Sequence, residues 1–261
     1  MRSLDIASTG MQAQQTNVDV ISNNLANMTT TGFKRRRAEF QDLIYQNLRR
    51  VGSNTSDAGT IVPAGAQVGL GVRTAAIYRI NEQGTLQQTS NSLDVAIRGN
   101  GYFQVTLPSG DTAFTRDGTF GLSPAGEIVT ADGYPVVPGV TVPTNAQAIT
   151  ISQTGDVQVQ IAGQAASQTV GTIQLAVFAN EAGLDAQGDN LFLQSGASGP
   201  PVTGNPNAPG FGSVMQGFVE GSNVNVVTEI TNLITAQRAY EMNSRVITTS
   251  DSMLSTLTNL R

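Results

Sequence analysis

The two ends of the chain carry the pattern that most limits its fold. Leu4, Ala7, Met11, Val18, Ile21, Leu25 and Met28 follow alternating steps of three and four, with Gln14 in one seam position. That spacing lines one side of a helix of about 25 residues, roughly 38 Å long, as in the seam of a coiled coil. Near the other end Val226, Leu233, Ala236, Tyr240, Ile247, Leu254 and Leu257 repeat the pattern, interrupted by Asn243 and Ser250. Asn225 is a suitable N-cap there, and Glu229 favours the positive end of the helix dipole. The second helix is predicted to run for about 36 residues, roughly 54 Å. Helices at opposite ends of a chain pair only if the middle folds back, so an antiparallel pair with the middle as a separate lobe is expected.

The faces away from the seam are unusual. Between residues 1 and 28 only Arg2, Asp5 and Asp19 are charged, while twelve residues are Ser, Thr, Asn or Gln. In the C-terminal helix Ile230, Ile234, Val246, Met253 and Leu260 widen the apolar face beyond a two-helix seam. One shorter partner cannot cover that face, so further helices from neighbouring subunits are expected to pack on it. The alternative is an intramolecular pair that closes a monomer.

Composition removes whole chemistries. The 261 residues include no Cys, His or Trp, and charged residues make up 13%. Disulfides, zinc–thiolate sites, thiol nucleophiles and catalytic imidazoles are therefore excluded. A net charge of −5 disfavours nucleic acid as a partner. The run Lys34-Arg35-Arg36-Arg37 reads as a solvated face or a set of salt bridges to acidic neighbours, and Lys34 is the only lysine. No apolar run approaches the roughly 20 residues of a membrane span. Gln12, Gln14, Gln15 and Asp19 interrupt any signal-peptide core, so export with a cleaved signal is not expected.

The middle reads as strands. Alternation is clear in Ile149/Ile151, Val157/Val159/Ile161 and Ile173/Leu175/Val177. Turn signals recur at Asn100-Gly101, Ser109-Gly110, Asp117-Gly118, Asp132-Gly133 and Gly155-Asp156. The fold class is therefore α+β: long terminal helices pairing as an antiparallel coiled coil, with a central antiparallel β-rich domain. The expected division is 1–28 plus 222–261 for the helical domain, 29–71 for a connecting region, and 72–221 for the β-rich domain. Within the connection, Phe33 to Leu48 reads as partly helical or extended. Gly52 to Gly71 reads as a flexible loop or a long hairpin, with Ile61-Val62-Pro63 as its only apolar core.

Tests for chemistry come out negative. Gly99-Asn100-Gly101 lacks the third glycine and following helix of a dinucleotide fold, and is predicted to be a hairpin turn between Val95/Ile97 and Phe103/Val105. Neither Asp117-Gly118 nor Asp132-Gly133 has the ligand series of a calcium loop. Asp185 and Asp189 lie close in sequence, but a hydrolase pair needs a pocket around them. No catalytic, cofactor-binding or metal-ligating residue is assigned.

Several segments resemble the bacterial flagellar rod and hook proteins. At the N-terminus these are Ser22-Asn23-Asn24-Leu25-Ala26-Asn27 and Thr30-Thr31-Gly32-Phe33-Lys34. In the middle they are Asp94-Val95-Ala96-Ile97, Gly99-Asn100-Gly101-Tyr102-Phe103 and Phe114-Thr115-Arg116-Asp117-Gly118. Near the C-terminus they are Glu220-Gly221-Ser222-Asn223-Val224-Asn225-Val226 and Gln237-Arg238-Ala239-Tyr240-Glu241-Met242-Asn243-Ser244. The stretch from about Gln46 to Gly69, with Gln67-Val68-Gly69-Leu70-Gly71-Val72, resembles that of the distal-rod members. A proximal rod or hook subunit is the neighbouring alternative, and a secreted monomeric binding protein or adhesin is the alternative from another class.

The resemblance implies a passive mechanical part, exported unfolded through the flagellar type III system without signal cleavage. It implies polymerisation into a hollow, straight helical tube in the basal body, spanning the periplasm. Leu4, Met11, Val18, Ile21 and Leu25 would meet Leu233, Tyr240, Ile247, Leu254 and Leu257 as the tube-forming contacts. The insert, including Ser53, Asn54, Ile61, Val62 and Pro63, would stiffen the rod. Implied partners are further copies of the chain, proximal rod proteins, the hook protein, peptidoglycan and outer-membrane ring proteins, and the rod-cap and export machinery.

Overall fold

The computed structural model describes residues 2–49, 64–162 and 166–259. Their contacts group into two compact units, one formed within Met1–Leu25, Arg36–Tyr78 and Asn225–Arg261, the other within Ala26–Arg35 and Arg79–Val224.

The first unit holds both long helices, α1 at Arg2–Ala26 and α2 at Val226–Asn259. Asn225 caps α2, its Oδ1 accepting from Thr228 N at 3.2 Å. Four places bring the helices together, in opposite sequence order. Ser250 Oγ meets Ser3 Oγ at 3.3 Å, and Asn24 Nδ2 donates to Glu229 at 3.2 Å. Between them Gly10 lies against Asn243, close enough that a Cβ would stand 2.9 Å from the amide nitrogen. Gln15, Val18, Gln237, Tyr240 and Glu241 line a shared groove. The polar positions that interrupt the C-terminal seam, Asn243 and Ser250, are thus points of close approach. On α1 the buried residues are Ala7, Ala13, Val20, Ile21 and Asn24, a broader face than the predicted stripe. Met28 falls beyond the helix end and is 45% exposed.

The unit also contains an extended two-stranded arm. Arg36–Asp42 pairs with Val72–Arg79, and Tyr45–Arg49 pairs antiparallel with Ala66–Gly69. Leu43 N to Gly71 O at 2.8 Å and Leu70 N to Ile44 O at 3.2 Å continue the ladder between them. Phe33 to Leu48 is therefore extended, without helix, and the hairpin reading applies at its root. Ser53, Asn54, Ile61, Val62 and Pro63 lie outside the described residues.

The second unit is built on a six-stranded sheet whose spatial order is Asp185–Gly188, Leu191–Leu193, Thr112–Thr115, Tyr102–Thr106, Leu175–Val177, Val202–Gly204. Its paired registers are antiparallel. Successive strand residues point to opposite faces, and here both faces are covered. Phe103, Val105, Ala113, Leu175 and Leu191 join the main core with Val95, Ile97, Val157, Val159 and Ile173. Tyr102, Phe114, Ala176, Phe178, Leu184 and Phe192 form a second, mostly aromatic layer. Phe114 meets Phe178 edge-on at 4.7 Å between centroids. Each large side chain buried in this way contributes about 1.5–3 kcal/mol. A separate antiparallel sheet of Ala146–Ile151, Asp156–Ile161 and Gln168–Thr172 packs onto the main core through Ile151, Val157 and Val159.

One predicted turn is corrected. The strand Val95–Arg98 does not form a hairpin with Tyr102–Thr106; it pairs with Ser213–Gln216. The Gly99-Asn100-Gly101 corner carries the chain from one sheet to another, with Gly99 and Gly101 at φ of +104° and +135°. Val95, Ala96 and Ile97 are all fully buried, so the strand takes its partner from a distant segment. Ser109-Gly110, Asp132-Gly133 and Gly155-Asp156 do form turns, closed by Gly110 N to Leu107 O, Gly133 N to Thr130 O and Gly155 N to Ser152 O. At Ser109-Gly110 the strands Tyr102–Thr106 and Thr112–Thr115 are joined, with Thr106 opposite Thr112.

Candidate functional site

The residues that resemble the rod and hook proteins converge on buried polar clusters. The largest is within the second unit. Lys34 follows the turn at Gly32, Glu220 ends the strand Phe218–Glu220, and Arg116 follows the strand Thr112–Thr115. Lys34 Nζ donates to Glu220 Oε1 at 2.6 Å and to Glu82 O at 2.8 Å. Gly84 N donates to the same carboxylate oxygen at 2.9 Å. Arg116 Nη1 lies 3.4 Å from Glu220 Oε2, an ion pair without hydrogen-bond alignment, while its Nη2 donates to Gly99 O at 2.7 Å. The side chains of Lys34, Glu220 and Arg116 are 2%, 0% and 4% exposed.

Of the two readings of the basic run, salt bridges to acidic neighbours apply to Lys34, paired with Glu220, and to Arg35, paired with Glu82 at 3.2 Å. Arg36 and Arg37 are exposed, but Lys34 is sealed in. Burial pushes its pKa below the ordinary lysine value, against the opposing pull of the Glu220 carboxylate, and neighbouring Arg116 lowers it further. Two cations share one carboxylate, all out of water, so the cluster ties segments together and offers no group to a solvent-borne substrate.

Local geometry requires Gly32. Its φ is +69°, and an added Cβ would stand 3.0 Å from the backbone of Arg116 and Asp117. Its N–H donates to Glu220 O at 2.7 Å. Beside the cluster, Tyr102 donates to Glu181 at 3.1 Å and the Arg116 guanidinium lies 5.4 Å from the Tyr102 ring centre. Burial first, and then Glu181, raises the Tyr102 phenol above its ordinary pKa.

Two asparagines act as clips. Asn223 Oδ1 accepts from Arg35 N at 2.7 Å, and its Nδ2 donates to Ile80 O and Glu82 O at 2.8 and 3.0 Å. In the first unit, Asn24 Oδ1 accepts from Arg36 N and its Nδ2 donates to Arg36 O, both at 2.8 Å. The same Nδ2 reaches Glu229, which is 5% exposed. Glu229 therefore does more than face a helix dipole. Sequence reasoning did not single out Glu220, Arg116, Asn24 or Asn223, although each lies inside a segment that carries the resemblance.

The expected seam residues are distributed as follows. Ile21 is buried; Leu4, Met11, Val18, Leu25, Leu233, Ile247 and Leu254 are half-buried; Tyr240 is 43% exposed. Asp185 is exposed on the outermost strand of the sheet. Asp189 and Asn190, at φ of +50° and +57°, form the tight turn that follows it. They make a hairpin at the edge of the six-stranded sheet. Asp117 Oδ1 accepts from Thr119 N and Oγ1, a local turn.

Comparison with known proteins agrees with this picture. Residues 4–34 match the family described as flagella basal body rod protein, 96–159 the flagellar hook protein FlgE/F/G D1 domain, and 215–260 the flagellar basal body rod FlgEFG protein C-terminal family. The chain belongs to the flagellar rod and hook protein family. It is 58% identical to the flagellar basal-body rod protein FlgG of Caulobacter vibrioides, over the whole of both chains. It is 54% identical to the Agrobacterium fabrum protein of that name, over 98% of this chain and 97% of that one. It is 39% identical to the one from Bacillus subtilis, over 100% and 99%. Within the family the chain is most like FlgG, a structural subunit of the distal rod of the flagellar basal body.

Proposed function

We propose that this chain acts without catalysis, by self-assembly into a hollow, straight tube that passes torque along the rod. The terminal helices pair as an antiparallel coiled coil and line the tube, and the β-rich unit forms its outer wall. The observation that carries this reading is the surface of α2. Glu229, Ala236 and Ser250 are buried, with Leu233, Asn243, Ile247 and Leu254 half-buried between them, a row with the three-and-four spacing of a seam. Beside that row Val227, Ile230, Ile234, Met242, Val246 and Met253 are between 43% and 75% exposed. So many apolar side chains on one long helix suit further copies of the same chain packing against it.

Leu4, Met11, Val18, Ile21 and Leu25 then meet Leu233, Tyr240, Ile247, Leu254 and Leu257 as the tube-forming contacts. The insert around Ser53, Asn54, Ile61, Val62 and Pro63 stiffens the rod, and deleting 54–65 leaves a polymer that curves. Proximal rod proteins, the hook protein, the peptidoglycan and outer-membrane ring proteins, and the rod-cap and export machinery are the proposed neighbours. The decisive test is Ile247→Asp, which puts a charge where burial costs several kcal/mol. Sedimentation and electron microscopy should show no polymer, while circular dichroism keeps the β signal. A complete rod from that variant would sink the reading.

A further inference from the structure

The composition leaves an oxidant few side chains to attack. The chain has no Cys, Trp or His but six methionines, so thioethers are its most readily oxidised groups. Among the described residues Met11 and Met215 are half-buried, while Met28, Met242 and Met253 are 45%, 63% and 53% exposed. Met28 stands beyond the end of α1, and the other two belong to α2.

Their spacing places the α2 pair together. An interval of eleven residues is close to three whole turns, so the two thioethers stand nearly in line. Val246, also exposed, falls on the same flank. That flank is roughly a quarter turn from the row of Ala236, Asn243 and Ser250, where α2 is buried or meets α1. From Met242 onward, these three are the exposed large apolar side chains among the described residues of the helix. The apolar character of the flank is therefore mostly thioether.

Oxidation would change that character. A hydroperoxide gives one oxygen to the sulfur: the O–O bond breaks, an S–O bond forms, the sulfur loses two electrons, and the peroxide leaves as water or an alcohol. A flexible apolar side chain becomes a polar sulfoxide. Burying that group against a neighbour without a hydrogen-bond partner is unfavourable. Reduction by a dithiol, catalysed by methionine sulfoxide reductases, releases the oxygen as water and restores the thioether.

We propose that Met242 and Met253 are oxidation sites at which hydroperoxides reversibly block assembly of the chain. The oxidised flank no longer packs on a second copy, and Met28 has no part in the effect. This inference rests on the reading that further copies pack against α2.

The test treats the purified full-length chain with hydrogen peroxide, maps the added oxygen by peptide mass spectrometry, and follows polymerisation by sedimentation. Met242 and Met253 should oxidise ahead of Met11 and Met215, and the concentration needed for polymer should rise at least about tenfold. Methionine sulfoxide reductases with a dithiol should restore assembly. Met242→Leu with Met253→Leu should polymerise before and after peroxide, whereas Met28→Leu should stay sensitive. Peroxide added after assembly should leave both α2 thioethers intact. Preferential oxidation of Met11 and Met215, equal oxidation of the α2 pair in polymer and monomer, or sensitivity retained by the double variant would each overturn the proposal. Polymer that forms equally well from oxidised chain sinks this inference alone; untreated chain that forms no polymer sinks the assembly reading with it. Mapping and rescue on the unaltered protein stand even if a variant fails to fold.

Discussion

Replacing Glu220 with alanine probes the buried cluster most directly. The carboxylate accepts from Lys34 Nζ at 2.6 Å and Gly84 N at 2.9 Å, and pairs with Arg116 at 3.4 Å. Its removal leaves two cations out of water, with side chains 2% and 4% exposed. Removing one partner of a buried ion pair costs about 3–5 kcal/mol, and the unmet Gly84 amide adds about 1. A loss of about 4–5 kcal/mol is therefore expected, a large part of the roughly 5–15 kcal/mol that holds a domain folded. Lys34→Met should cost less, because Glu220 keeps Gly84 and Arg116 while one desolvated cation disappears. Glu220→Gln should fall between them. Urea unfolding followed by the far-ultraviolet β signal measures all three. A Glu220→Ala loss below about 1 kcal/mol, or a greater loss from Lys34→Met, would refute this account of the cluster.

Two further outcomes are expected. Lys34 has its pKa lowered by burial, so between that folded value and the ordinary 10.5 the unfolded chain holds more protons. Stability should accordingly rise with pH across that window, and the rise should vanish in Lys34→Met. Above pH of about 10 the raised Tyr102 pKa reverses the trend, so urea midpoints should be compared below it. Asn24→Ala removes two bonds to Arg36 and one to Glu229, a loss of about 2–4 kcal/mol. Amide exchange should quicken in Arg36–Asp42 and in the first turns of α2, with the six-stranded sheet unchanged.

The parts of the fold that were legible in the sequence are those whose signal is local. A helix stripe repeats within each turn, so α1 and α2 could be read within a few residues of their ends. The Ser109-Gly110 hairpin joins neighbouring strands and was equally plain. For Lys34 the sequence left a solvated face and a salt bridge equally open and its burial unread, because the carboxylate it pairs with lies 186 residues away. The Gly99-Asn100-Gly101 corner failed similarly: a turn signal says that the chain bends, not which strand it will pair with. Asn243 looked like a break in an apolar seam, yet it is where Gly10 lets α1 come close. A glycine and a polar residue can share a helix contact that an apolar count overlooks.

The buried charges also bear on why these segments carry family resemblance at all. Apolar residues of similar volume would fill the cluster with less desolvation, so stability alone does not account for Lys34, Arg116 and Glu220. Register does. Glu220 ends a strand that pairs with Leu86–Gln88, Glu220 standing opposite Leu86. A slip by one residue would turn its side chain to the other face, away from Lys34 and Gly84, and leave a carboxylate and two cations unmatched. An apolar residue would tolerate that slip far better. The strand leads through Asn223, which clips Arg35, to Asn225, the cap of α2. The charges thus fix the register at which the chain enters its C-terminal helix.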